Sequence, residues 1–382
     1  MKHKPFRFLL LLAVLVGIAA VAALASYSPN GRELISLKYL EDTVLSQAVS
    51  AGETILEEQE QAALAQAQLE LEAANGIYQF QLGAYDGSLE TSSSLRDFRF
   101  KKDDIITIGT GSSVLLLSGE AEISAVSGAI VDASEGVECP VGTSLVPRHY
   151  YLAAEQSVIS VRITTDTAVM CLEGSFAFTA SNAVDYNMLA DGMKAMGLFK
   201  GSDTGYGSGY DLERAPTRIE ALIMFLRLLG EEDDALATTS PCPFTDVAAW
   251  AQPYTTYAYE KGYTKGVGGT LFDPSSPIPA TQYLTFVLRA LGYSDSGENP
   301  DFSWDKAILF SLQRGVLNAK EHKQLTEQPF LRAHVVYVSY YAMDASMKNV
   351  FGSLYDHLTS TGALDRSVTA PIRRSIPSQR MK

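Results

Sequence analysis

The sequence is poor in cysteine, in histidine and in positive charge. Its three cysteines, Cys139, Cys171 and Cys242, are too few and too widely spaced for a disulfide scaffold or a four-ligand zinc site. At most, Cys139 and Cys171 form a disulfide. The five histidines are scattered and suggest no Ser-His-Asp or Cys-His catalytic set. With 30 Lys and Arg against 44 Asp and Glu, the net charge of -14 argues against a nucleic-acid partner.

The chain nevertheless has ample material for folded domains. It is 46% hydrophobic and 19% charged over 382 residues, which excludes wholesale disorder and predicts two or three domains. We expect no bound metal and no cofactor. We therefore expect a multidomain α+β protein.

The N-terminal residues 1–30 have the layout of an export segment. Lys2, Lys4 and Arg7 precede an uncharged apolar run over residues 8–25. Ala23-Leu24-Ala25 offers a cleavage site for a signal peptide, whereas a run of about 18 residues approaches the length of a membrane anchor. Both fates stay open, and either one places the rest of the chain outside the cytoplasm.

Residues 31–75 predict a helical stalk. The segment has no proline and is rich in Leu, Ala, Glu and Gln, with Gly52 as its strongest interruption. Its apolar spacing fits an imperfect coiled coil or a helix packed on the next domain. Asn75-Gly76 is expected to end the helix.

Residues 76–181 predict a small all-β domain, a sandwich, roll or barrel. Short apolar runs rich in Val, Ile, Thr and aromatics alternate with Gly, Ser and Asp. The candidate strands are residues 77–82, 105–108, 114–117, 129–131, 150–153, 158–163 and 168–172. No catalytic set is visible in this domain, so we expect a spacer or a protein-interaction module.

The C-terminal part contains a degenerate repeat of about 60 residues. Gly197-Leu-Phe-Lys-Gly201 matches Gly262-Tyr-Thr-Lys-Gly266, and Phe225-Leu-Arg-Leu-Leu-Gly230 matches Val287-Leu-Arg-Ala-Leu-Gly292. The second copy opens with Pro243-Phe-Thr-Asp-Val-Ala-Ala-Trp250 and continues through Leu271-Phe-Asp-Pro274. This order resembles the S-layer homology (SLH) repeat.

The resemblance implies an all-α bundle of three SLH-like repeats over residues 182–346, at about 183–230, 243–292 and 301–345. A helical end and a basic flexible tail follow over residues 347–382. The family's Thr-Arg-Ala-Glu start of the second helix is Thr217-Arg-Ile-Glu220 in the first copy. It is Leu331-Arg-Ala-His334 in the third, and Pro279-Ala-Thr-Gln282 in the second, which has lost the arginine.

Thr217 and Glu220 form the sequence pattern of a capping box, which starts a helix. The apolar spacing beyond it predicts a helix with a buried stripe, and Arg218 falls in the first turn. Free amide groups and the helix dipole already favour an anion at such a position, and a guanidinium can grip a carboxylate with two hydrogen bonds. Alternatively, Arg218 pairs with a nearby acid or points into water.

In the family that the repeats resemble, this arginine binds secondary cell-wall polysaccharide, which often carries pyruvyl acid groups. The resemblance therefore implicates Arg218 and Arg332, with Asp246 and Trp250 beside a groove. Trp250 could stack on a sugar ring, or instead pack in the core. Asp246 could instead cap the helix that follows it.

The sequence thus predicts a non-enzymatic bacterial surface protein that attaches to the cell wall, and that also tethers the membrane if the N-terminal helix is retained. The alternative is an envelope sensor or assembly factor whose β domain binds a ligand or protein while the repeats serve as scaffold. An exported hydrolase is disfavoured, because the two Asp-x-Gly sequences at Asp203 and Asp295 lie in a helical repeat rather than between apolar strands.

Overall fold

The computed structural model describes residues 46–86, 89–377 and 379–381. The chain divides into two units, residues 1–71 and 72–382. The apolar segment predicted as signal or anchor lies outside the described residues. Within the described residues, no helix combines the length and the apolar character that crossing a membrane requires.

The first helix, α1 (Ser46–Asp86), continues through both Gly52 and Gly76. The predicted end at Asn75-Gly76 and the predicted strand over residues 77–82 are therefore wrong. One glycine inside a helix costs only about 1 kcal/mol relative to alanine. Burial in this stretch follows helical spacing, because Phe80 and Gly83 are buried whereas Tyr78 and Leu82 are exposed.

The end of α1 packs on the β domain through Phe80. The Phe80 side chain is 4% exposed, and its ring lies against Gly109. A Cβ atom added to Gly109 would lie 2.7 Å from the ring carbons of Phe80. A side chain at Gly109 would therefore displace the helix.

The β domain is a curled antiparallel sheet of nine strands. The strands are β1 (Glu90–Lys101), β2 (Ile105–Gly109), β3 (Ser113–Ser118), β4 (Ala121–Ser127), β5 (Ile130–Asp132), β6 (Val137–Glu138), β7 (Tyr150–Ala153), β8 (Val158–Ile163) and β9 (Thr167–Thr179). Their order in the sheet is β4-β8-β2-β9-β3-β7-β5-β6, with β1 paired to β9. The central strand β9 pairs with β1 along one edge and with β2 and β3 along the other.

The predicted β character is confirmed, but β1, β4 and β6 are absent from the predicted strands. β1 carries mostly polar residues, and its first seven positions include only one that is not exposed, so it lacks the apolar alternation that marks a strand. The three cysteines are free, so Cys139 and Cys171, the pair that the sequence left open, form no disulfide.

The C-terminal part is helical. Its helices are α2 (Tyr186–Ala195), α3 (Arg218–Leu228), α4 (Glu232–Leu236), α5 (Gln252–Glu260), α6 (Ala280–Ala290), α7 (Ala307–Gln313), α8 (Ala319–Glu327), α9 (Arg332–Ala342), α10 (Leu354–Ser360) and α11 (Arg366–Ser375). A short 3-10 helix (Trp304–Lys306) precedes α7.

Three helical hairpins recur in this part, built from α2 and α3, from α5 and α6, and from α7 and α9. The first helix of each ends at a glycine with positive φ, namely Gly197 at 79°, Gly262 at 74° and Gly315 at 73°. The second helices α3, α6 and α9 contact one another, and their apolar faces form a large core.

The first and third hairpins are both fixed against the β domain. Arg99 on β1 makes a two-pronged ion pair with Asp191 on α2, at 2.8 and 2.9 Å. His334 on α9 lies 2.9 Å from Asp166, which precedes β9, and both side chains are largely buried. These contacts hold the β domain over one side of the helical repeats.

The C-terminal tail is packed rather than extended, so the prediction of a flexible basic tail is wrong. Arg380 donates to both carboxylate oxygens of Glu321, at 2.8 and 3.0 Å, and Glu321 is only 1% exposed. Ile376 is buried against Gly192. The basic tail is therefore held because it neutralises a buried acid of the bundle.

Candidate functional site

The site candidates lie where the second helix of each repeat begins. The first residues of α3, α6 and α9 are Arg218, Ala280 and Arg332, and these residues are 7%, 4% and 2% exposed. The three equivalent starts therefore carry two arginines and one alanine, as the sequence motif predicts. Arg218 and Arg332 both lie under a loop of a neighbouring repeat.

The capping box of α3 is confirmed. Glu220 N donates to Thr217 Oγ1 at 3.3 Å, and Thr217 N donates to Glu220 Oε2 at 2.8 Å. At the start of α9, His334 replaces the glutamate, and its Nδ1 accepts from Leu331 N at 3.1 Å. The imidazole thus satisfies the same backbone amide that the glutamate satisfies in α3.

The first amides of α3 and α9 are not free, contrary to the sequence-based expectation. Arg218 N donates to Ser276 O at 2.9 Å, and Ile219 N donates to Pro274 O at 3.1 Å, both in the loop of the second repeat. Arg332 N donates to Arg214 O in the same way. An anion at these positions therefore has to be held by side chains rather than by the helix N-terminus.

The Arg332 guanidinium is used within the protein. Its Nη2 donates to Gly201 O at 3.2 Å, its Nε donates to Tyr210 O at 3.4 Å, and its Nη1 lies 3.5 Å from Glu220 Oε1. Burial lowers the pKa of Arg332, and the charge of Glu220 opposes this shift. With 2% of the residue exposed, Arg332 offers almost no surface to a ligand.

The loop that covers Arg332 is fastened to the β domain. Ser208 N donates to Asp97 Oδ2 at 2.6 Å, and Ser118 Oγ donates to Glu213 Oε2 at 3.2 Å. Gly209 lies so close to Val169 that a Cβ atom there would be 2.7 Å away. The β domain thus keeps this loop over the third arginine position.

Glu220 connects the first and third repeats. Burial acts to raise its pKa, but hydrogen bonds from Arg214 and the Thr217 amide, together with the charge of Arg332, hold the pKa at about 2. The two-pronged contact with Arg214, at 2.7 and 2.9 Å, is the strongest of these. Glu220 therefore stays charged at any physiological pH.

Arg218 differs from Arg332 in having no such partners. Its Nε is buried without a hydrogen-bond acceptor, and in the described residues its side chain makes no ion pair. Its guanidinium carbon lies 6.0 Å from the centre of the Phe272 ring. Burial lowers the pKa of Arg218, and only the charge of Asp273 counteracts it. A buried cation with this few partners gains the most from an added anion.

Asp246 shapes the loop that lies against Arg218. Its two carboxylate oxygens accept from Phe272 N at 2.9 Å and Asp273 N at 2.7 Å. Burial tends to raise the pKa of Asp246, but these two amide bonds lower it overall. The alternative that Asp246 caps the next helix is wrong, because α5 begins at Gln252 with Ala251 as its N-cap.

Trp250 is 63% exposed, so the alternative of core packing is wrong. A second tryptophan, Trp304 in the third repeat, is 56% exposed and is absent from the residues that the resemblance implicates. The sequence signal for it is Asp301-Phe-Ser-Trp304, which stands where the second repeat has Pro243-Phe-Thr-Asp-Val-Ala-Ala-Trp250. Both rings are available for stacking on a sugar.

The second repeat has no arginine at its helix start. There, Pro279, Ala280 and Thr281 line an open groove of about 600 Å³ between the second and third repeats. Among the residues that line this groove, Lys306 and Asp305 are the charged ones, and Lys306 is exposed. The structure thus brings Arg218 and Asp246 together at one loop. The three equivalent helix starts differ: Arg218 lacks a hydrogen-bond acceptor at Nε, Arg332 is hydrogen-bonded within the protein, and the second repeat has Ala280.

No protein-family model matches the chain, so the assignment to the SLH family stays a prediction. The chain is similar to a cell surface protein of Thermoanaerobacter kivui, with 38% identity over 89 residues, or 22% of this chain and 12% of the relative. It is 26% identical over 168 residues to the middle cell wall protein of Brevibacillus brevis, which covers 42% of this chain and 16% of the relative.

A surface layer protein of Brevibacillus choshinensis is 27% identical over 131 residues, or 33% of this chain and 11% of the relative. The chain thus spans less than a fifth of the length of each of these curated relatives. The shared feature of the three is their place at the cell surface or in the cell wall. These similarities support an extracytoplasmic protein associated with the cell surface or the cell wall.

Proposed function

We propose that this protein is a non-enzymatic attachment protein that binds an acidic secondary cell-wall polysaccharide through its helical repeats. The observation that carries the proposal is the state of Arg218, a buried cation whose Nε has no acceptor. A carboxylate on the polymer, such as a pyruvyl group, would supply the missing acceptor and neutralise the charge.

Each candidate residue has a separate part in this proposal. Arg218 binds the acidic group, Asp246 fixes the Phe272-Asp273 backbone beside it, and Trp250 stacks on a neighbouring sugar ring. Arg332, satisfied by two carbonyl groups and Glu220, stabilises the bundle instead of binding. The proposal therefore places binding in one arginine site rather than in two.

The experiment is co-sedimentation of the full chain with cell-wall sacculi, before and after chemical removal of the secondary polysaccharide. Arg218→Ala should weaken binding about 10- to 100-fold, since a charge-assisted hydrogen bond contributes about 1.5–3 kcal/mol. The matched control is Arg374→Ala, which removes an exposed arginine from α11 and should leave binding unchanged.

Binding that persists without the polysaccharide, or that Arg218→Ala and Arg374→Ala reduce equally, would contradict this assignment. A folded chain that stays in the supernatant would favour the alternative of a sensor or assembly factor, in which the β domain binds the partner. Tethering of membrane to wall additionally needs the N-terminal apolar segment to be retained, which the mass of the mature protein would establish.

A further inference from the structure

The N-terminal part of α1, from Ser46 to Leu71, presents an apolar stripe to solvent. Val49, Leu56, Leu64 and Leu71 are 52%, 53%, 58% and 70% exposed, and they follow one another at intervals of seven, eight and seven residues. At 3.6 residues per turn, these side chains lie within about 80° of one another around the helix. They therefore form one continuous face.

Two glutamates interrupt this face. Glu53 and Glu60 are exposed and, by the same helical geometry, lie between the leucine and valine side chains rather than beside them. Glu57 and Glu58 are exposed as well. In the sequence, residues 46–71 contain five glutamates and no lysine or arginine. The face is thus apolar and acidic without any cation of its own.

Such a helix requires a partner, because few isolated helices are stable in water and an exposed apolar stripe is normally covered. A second copy of the chain would place Glu60 near Glu60 and bury carboxylates without a counter-ion. An anionic membrane surface would repel the same five glutamates. Only a cationic partner covers the stripe and neutralises the two embedded acids.

We propose that this face of α1 binds a basic amphipathic helix of a partner protein. The distance from Val49 to Leu71 corresponds to about 33 Å of helix, so the partner segment needs about 22 residues. Its apolar side chains would pack between those of α1, with lysine or arginine opposite Glu53 and Glu60. None of the residues of this face belongs to the repeats, and the proposal does not depend on polysaccharide binding.

The test uses a fluorescent 28-residue synthetic helix with leucine on one face and lysine elsewhere, together with a matched peptide in which every lysine is glutamate. Binding to the full chain in a nonionic detergent is measured by fluorescence anisotropy against a detergent blank. The lysine peptide should bind, and its affinity should fall about tenfold between 50 and 500 mM NaCl. The glutamate peptide should not bind.

Two matched pairs of variants locate the site. Glu60→Gln should weaken binding three- to fivefold, whereas Glu58→Gln, the same change on the opposite face, should not. Leu56→Ala should weaken binding about tenfold, whereas Ile55→Ala, equally exposed but outside the stripe, should not.

Equal effects within either pair would overturn the proposal, because binding would then be non-specific. Equal binding of the two peptides would overturn it as well. Sedimentation equilibrium in density-matched detergent measures the oligomeric state of the chain. A dimer of the wild-type chain that Leu56→Ala and Leu64→Ala together abolish would show that a second copy occupies the face instead.

Discussion

Replacing Arg218 and Arg332 separately by methionine should have opposite consequences for stability. Both arginines open a central helix and both are buried, at 7% and 2% exposure. Methionine keeps most of the apolar stem but removes the guanidinium, so the change isolates the contribution of the charged group. Arg332→Met should destabilise the bundle, and Arg218→Met should not.

The expected magnitudes follow from the contacts. Arg332→Met leaves Gly201 O and Tyr210 O without their donor and removes a cation beside Glu220. Glu220 keeps its contact with Arg214. Leaving the two carbonyl acceptors without their donor costs about 1–3 kcal/mol each, so the expected loss is about 3 kcal/mol or more. Arg218→Met removes a guanidinium whose Nε has no acceptor. The free-energy cost of burying that charge disappears, and this gain offsets the packing that is lost, so the free energy of unfolding should change by less than about 1 kcal/mol.

The assay is urea unfolding of the chain from Ser26 onward, followed by far-ultraviolet circular dichroism and by tryptophan fluorescence. Both tryptophans lie in the repeats, so fluorescence reports on the helical part. A loss of about 3 kcal/mol moves the midpoint by about 1 M urea or more. Equal destabilisation by the two variants would refute the reasoning, as would retention of wall binding by Arg218→Met.

Three further predictions concern other contacts. Because the pKa of Glu220 is held at about 2, below its ordinary 4.5, its stabilising contribution should be present above pH 4.5 and be lost as the pH falls towards 2. Glu220→Gln should flatten that part of a stability-pH curve measured by urea unfolding, which amounts to at most about 3 kcal/mol. Arg380→Ala should lower the free energy of unfolding by about 3 kcal/mol, since the buried Glu321 would then lack its counter-ion. An unchanged midpoint in thermal unfolding would contradict the packing of the tail. Gly266→Ala should cost clearly more than Gly262→Ala in the same measurement, because both have positive φ but only at Gly266 would the new Cβ lie 2.3 Å from a backbone oxygen.

The local sequence determined the elements whose signals are short-range. The capping box at Thr217 and Glu220 identified the start of α3 to the residue, because both partners lie within one helical turn. The runs near residues 105–108, 150–153 and 158–163 identified three strands, because apolar β-branched segments bounded by turn residues favour extended backbone.

Other elements could not be predicted locally. β1 is polar and is a strand because β9 pairs with it along its length, which no short-range pattern reveals. The end of α1 stays helical past Gly76 because Phe80 packs against Gly109. The tail is ordered because Arg380 meets the buried acid Glu321, 59 residues earlier in the chain.

The candidate site shows the same division. The sequence determined that Arg218 and Arg332 occupy equivalent helix starts, and it assigned them the same role. Only the tertiary structure decided that they differ. Arg332 donates a hydrogen bond to Gly201 O, 131 residues away, and lies near Glu220 of another repeat. The loop over Arg218 supplies only the Phe272 ring and the charge of Asp273. A motif specifies the position of a residue in its helix. The groups that neutralise its charge belong to distant loops, and only the tertiary fold brings these loops into contact with it.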